Sequence, residues 1–116
     1  MNKFEDLHIW KKSMRLVEQV YLLSNELPNE ERFGLISQIK SCSIYIPSNI
    51  TEGAGRNSKK KFIHFLSIAN GSTSELKTQL LLSLKLNFIS KDKIEPLINL
   101  CNEIQKMNRS SQNKLN

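Results

Sequence analysis

Apolar residues recur at steps of three and four along nearly the whole chain, and nowhere do apolar and polar residues alternate as in a half-buried strand. Such a chain can fold only as helices whose apolar stripes cover one another. Four stretches carry the pattern. In the first, about 7–26, Leu7, Trp10, Met14, Val17 and Tyr21 form one stripe, with Ile9, Leu16, Val20, Leu23 and Leu27 beside it. Asp6 is its expected N-cap and Pro28 its stop. The second, about 28–54, carries Ile36, Ile39, Ser43, Ile46 and Ile50, with Pro28 suited to its first position and Glu30 and Glu31 to its first turn. Pro47 lies well inside it, removes one backbone bond and crowds the Ser43 carbonyl, which predicts a kink. Gly53 or Gly55 is expected to close it in the left-handed conformation.

The third stretch, about 58–88, starts at Ser58 as N-cap and carries Phe62, Phe65, Ala69, Leu76 and Leu80, widened by Ile63, Leu66 and Leu84. Asn70-Gly71-Ser72 interrupts it; a mid-helix glycine costs about 1 kcal/mol against alanine, and small residues there would let another helix come close. The fourth, about 91–108, is capped by Ser90 or Asp92 and carries Ile94, Leu97, Ile98, Cys101 and Ile104. Residues 109–116 show no pattern and are expected to fray. The predicted fold is all-α, one domain over 1–116: an antiparallel up-down-up-down four-helix bundle with its second helix kinked at Pro47.

A chain of 116 residues can hold a core without staples. Its two cysteines, Cys42 and Cys101, sit inside apolar patterns, which argues for small core residues in a reducing compartment rather than a disulfide framework. The first residues carry Glu5 and Asp6 where a signal peptide would be basic, and no run reaches the roughly 20 apolar residues of a membrane span. A cytoplasmic protein is expected.

The search for chemistry finds no catalytic, metal or cofactor residues to nominate. His8 and His64 lack a second ligand at helical metal spacing, and the Glu-x-x-His of di-iron bundles is absent. There is no Gly-x-Ser-x-Gly, and Gly53-Ala54-Gly55 follows a helix rather than a strand and lacks a phosphate loop's lysine. The polar residues that stand out are Asn49 and Glu52, which share a helix face, and Gln38, expected to face Glu75 across a hairpin. They read best as ties within the hairpin, with Glu52 also pairing Arg56 four residues on.

The chain carries a formal charge of +6. Arg56, Lys59, Lys60 and Lys61 crowd four cations into six residues, three of them at the positive end of a helix dipole, where their sign is unfavourable. With Lys11, Lys12 and Arg15 they could form one phosphate-binding face; a solvated corner explains the run equally well. No aromatic interleaves the run, so base stacking is not indicated there. Leu81, Leu82, Leu86, Phe88 and Ile89 fall outside the main seam of the third helix, and such surplus apolar surface predicts an interface between copies of the chain.

Three segments together resemble a known family: Phe4-x-x-Leu7-x-x-Trp10; Glu31-Arg32-Phe33-Gly34-Leu35-x-x-Gln38-Ile39; and Ile46-Pro47-Ser48-Asn49-Ile50-Thr51-Glu52-Gly53-x-Gly55-Arg56 running on to Phe65-Leu66-x-Ile68-Ala69-x-Gly71-Ser72-x-x-Glu75-Leu76. The chain resembles the bacterial 23S rRNA intervening-sequence proteins over nearly its whole length, departing at Thr51, where alanine is usual, and Lys77, where an acid is common. The resemblance implies a bundle assembling as a homopentameric ring, without enzymatic activity. It is also similar to the accessory variability proteins of diversity-generating retroelements, which implies RNA or DNA and a reverse transcriptase as partners. The expected function is a non-enzymatic, oligomeric, basic scaffold that binds nucleic acid. The alternative is a protein–protein adaptor.

Overall fold

The computed structural model describes residues 4–116. Four helices account for most of it: α1 (His8–Ser24), α2 (Leu35–Ala54), α3 (Lys59–Lys85) and α4 (Lys91–Leu115), with short 3-10 turns at Phe4–Asp6 and Asn29–Glu31. No strand occurs among the described residues. Neighbours in sequence pack together, α1 also packs on α4, and α2–α3 is the most extensive contact. The result is an antiparallel four-helix bundle, 43 × 23 × 20 Å.

Each helix contributes one seam at three-four spacing. The fully covered positions include Leu16 and Val20 of α1, Ile39, Ile46 and Ile50 of α2, Leu66, Ala69, Leu76 and Leu80 of α3, and Cys101 and Ile104 of α4. On α1 the stripe holding Ile9, Leu16, Val20 and Leu23 is the core; the other is only half covered, with Met14 and Tyr21 exposed. Small hydroxyl residues let the helices approach. Ser13, Ser24, Ser43, Thr73 and Ser83 are buried and donate to Trp10, Val20, Lys40, Ala69 and Gln79 carbonyls of their own helices, at 2.7–3.0 Å. None of these hydroxyls is left unpaired in the core.

Several boundaries differ from the sequence expectation. Leu7, not Asp6, holds the N-cap position of α1, and no side chain caps it; Asp6 closes the preceding 3-10 turn. α2 begins at Leu35 rather than Pro28. Pro28 is extended (ψ 136°) and opens the Asn29–Glu31 turn, after which the Glu31 carboxylate accepts from the Leu35 N–H at 3.3 Å. α2 then runs through Pro47, which is buried inside it, to Ala54. Neither glycine at its end is left-handed: Gly55 is right-handed (φ −81°), its N–H bonded to the Thr51 carbonyl at 3.1 Å.

The left-handed residue is Asn87 (φ 60°), just past the end of α3. The Asn87 and Phe88 N–H groups donate to the Leu84 and Ser83 carbonyls at 3.0 Å, the paired bonds of a Schellman motif. This turn ends α3 at Lys85 and redirects the chain inward. Ile89 is buried in the core and Phe88 packs against it, so these two are not the free apolar surface the sequence suggests.

α4 continues to Leu115 where fraying is expected from sequence. Met107 and Leu115 pack against the core, and the buried Asn108 amide donates to the Leu66 carbonyl at 2.8 Å. Ser67 and Gln112 add a bond at 3.4 Å, so the last two turns are tied to α3.

Candidate nucleic-acid interface

The corner between α2 and α3 is set by Gly53. A Cβ there would lie 2.8 Å from the Phe65 Cβ and 3.0 Å from the Phe62 ring, so only glycine lets the helices meet this closely. The Ser58 side chain caps α3 by accepting from the Lys61 N–H at 3.2 Å. Lys59, Lys60 and Lys61 then project from the first turn, all exposed, and among the described residues none forms an ion pair. Arg56 pairs with Glu52 at 3.1 Å while its guanidinium lies 5.2 Å from the centre of the Phe65 ring. That fixes its plane and leaves part of it open to solvent.

The cations of α1 divide. Lys12 bridges to Glu103 of α4 at 2.7 Å. The Lys12 hydrogen bond and charge, with lesser help from Arg15 and Lys106, hold the Glu103 carboxyl below the usual range. Lys12 and Arg15 therefore lie on the α1–α4 seam; Lys11 is exposed without an ion-pair partner among the described residues. In their place the structure brings in a group that sequence reasoning missed. α4 extends beside α3, placing the exposed Lys114 near the corner, with the exposed Arg109 and Lys106 further down the same surface, beside the middle of α3. The four-residue spacing Met107–Ser111–Leu115 was the available signal.

The remaining polar candidates differ in what they hold. Asn49 donates to the Tyr45 carbonyl at 2.7 Å. Glu75 meets the Cys42 thiol at 3.4 Å, so Gln38, one turn before Cys42, does not face it as expected. Burial pushes the Cys42 thiol up, and pushes that of Cys101 up to about 12, which makes both poor nucleophiles. His8 and His64 are exposed, and among the described residues no three His, Cys, Asp or Glu groups cluster to hold a metal.

Apolar surface remains uncovered in several places. Leu81, Leu82 and Leu86 of α3 are 44–49% exposed. Between α1 and α2 an apolar groove of about 530 Å³ is lined by Phe4, Trp10, Met14, Val17, Ile44 and Pro47, among others. No helix of the described residues is long and apolar enough to cross a membrane.

The family model described as 23S rRNA-intervening sequence protein matches residues 5–110. The chain belongs to this family. The 23S rRNA-intervening sequence fold is also seen in a crystal structure of a protein of unknown function from the S23 ribosomal protein family of Bacteroides thetaiotaomicron VPI-5482. It is 28% identical, with TM-score 0.83, over 90% of this chain and 97% of that one. No curated protein matches the chain. Lys77, where the family resemblance implies an acid, donates to Asn102 at 2.8 Å and Gln105 at 3.3 Å, tying α3 to α4.

Proposed function

We propose that this intervening-sequence protein is a non-enzymatic scaffold that binds RNA through its phosphates at the corner end of the bundle, and that copies associate through their uncovered apolar faces. One observation carries the reading: the positive charge is gathered at one end. Lys11, Arg56, Lys59, Lys60, Lys61 and Lys114 lie there against Glu5, Asp6 and Glu52, a surplus of three that accounts for half of the formal +6, and Arg109 and Lys106 continue the basic surface down α4. Three lysines in the unfavourable first turn of α3 are a local cost that phosphate would reverse. The contacts are to backbone and carry no sequence information by themselves. The ring of five implied by the family resemblance would repeat this end around one rim and multiply its field.

The test is mass by light scattering with RNA binding measured across a salt series. Multiples of the 13.4 kDa chain and binding that falls steeply with salt are expected. A monomer that binds no RNA at low salt refutes the reading. A second reading, a protein–protein adaptor, is favoured by Phe33, 86% exposed on the α1–α2 connection at the opposite end. It predicts a complex that survives nuclease and high salt.

A further inference from the structure

The seam between α3 and α4 is held by polar bonds that cross it at two levels. Lys77 and Ser74 bond Asn102 and Gln105 on one side; Ser67 and the Leu66 carbonyl bond Gln112 and Asn108 on the other. Between them, at Asn70, no bond crosses among the described residues. A cleft of about 160 Å³ opens there, lined by Asn70, Gln105, Asn108, Arg109, Gln112, Asn113 and Asn116. At ~30 Å³ per molecule this is room for roughly five waters, or for one flat heterocycle.

The lining is specific in kind. Six of these seven side chains are amides, which present donor and acceptor together, and the seventh is a guanidinium, a planar donor suited to stacking. Asn108 is 1% exposed and oriented by two bonds, donating to Leu66 and accepting from Gln112 at 2.6 Å. Among the described residues the side chains of Asn70, Asn113 and Arg109 make no hydrogen bond within the protein and so remain free for a ligand. Among the described residues no carboxylate side chain and no large apolar residue lines the cleft.

We infer that this cleft takes one unpaired nucleobase of single-stranded RNA, with its neighbouring phosphates on Arg109 and on the corner lysines. The inference rests on the RNA-binding reading above and names what that surface reads besides charge. Base edges are matched by paired amide donors and acceptors, and RNA is read mainly where its bases are unpaired. Arg109 sits both in the cleft and on the basic surface, joining the two.

The experiment measures affinities for short uridine, cytidine and adenosine oligoribonucleotides at one salt concentration, for the natural chain, Asn70→Ala/Asn113→Ala, Asn113→Asp and Lys59→Glu/Lys60→Glu. One base should be preferred over the weakest by about fivefold or more. The Asn70→Ala/Asn113→Ala variant should bring the three oligomers within about twofold of one another and leave the weakest unchanged, since only the base contact is lost. Asn113→Asp, at an exposed position, should change which base is preferred. The Lys59→Glu/Lys60→Glu variant should weaken all three alike. Salt-dependent binding with no base preference, or a preference that survives both asparagine variants, overturns the base cleft and leaves the phosphate reading standing. No binding of any oligomer at low salt overturns both.

Discussion

Reversing two charges in the first turn of α3, with Lys59→Glu and Lys60→Glu, should move binding and stability in opposite directions. If Arg56, Lys59, Lys60 and Lys61 each neutralise one phosphate, the log–log salt slope for single-stranded RNA is about −2.8, and affinity falls about 50-fold between 50 and 200 mM salt. Losing two contacts should bring the slope to about −1.4 and the fall to about 7-fold. Should Lys106, Arg109 and Lys114 engage as well, the natural chain's slope approaches −4.9, so the slope also counts the cations in use. Stability should not suffer. Both side chains are exposed and free of ion pairs among the described residues, and acids in a first helical turn favour the dipole by about 0.3–1 kcal/mol per charge at low salt. Anisotropy titrations across a salt series, with thermal melts of both proteins, test this. An unchanged slope in a folded variant refutes the corner as the contact surface. A lower melting temperature refutes the claim that these lysines oppose the helix they begin.

Gly53→Ala should destabilise: its Cβ would overlap Phe65 and Phe62, an overpacking cost of about 1–3 kcal/mol that outweighs the ~1 kcal/mol gained in helix propensity. Gly71→Ala meets open space and should stabilise by about 1 kcal/mol, so melts of the two variants should bracket the natural chain. Cys42 and Cys101, both buried with raised pKa, should resist a thiol reagent at mildly alkaline pH until denaturant is added; rapid labelling of the native chain would contradict their placement. Glu103 is held below the usual carboxyl range when folded, so the unfolded chain binds more protons there. Its contribution is full above the ordinary carboxyl pKa and is lost as pH falls through the depressed folded value, so denaturant midpoints followed against pH should differ between the natural chain and Glu103→Gln mainly above that range.

The seams were legible because burial in a bundle follows the helical period: Ile39, Ile46 and Ile50, or Leu76 and Leu80, are spaced as the core requires. What escaped depended on contacts distant in sequence. Only the four-residue spacing Met107–Ser111–Leu115 marks residues 109–115 locally; Asn108 bonding Leu66, and Leu115 reaching the core, hold them. Ile89 looked like surplus surface because the stripe was extended past Leu86, whereas the left-handed turn at Asn87 swings it inside. The chemistry of that turn was there to be read, since asparagine is a known substitute for glycine at this position. Lys12 and Arg15 could be placed on a helix face, but that the face meets Glu103 depends on the register of α1 against α4, which periodicity leaves free.

The geometry of the corner and the charge it carries depend on one another. Lys59, Lys60 and Lys61 repel each other and the α3 dipole, which by itself would favour fraying of that turn. Two features oppose this: the Ser58 cap on the Lys61 N–H, and the close seating of Phe62 and Phe65 against Gly53 one turn later. The same seating places the Phe65 ring under Arg56, which Glu52 holds from the side. The basic end is thus mounted on the tightest glycine contact in the described bundle rather than on a mobile loop. A rigid mount fixes the spacing of the cations before any ligand arrives, so less ordering has to accompany phosphate binding.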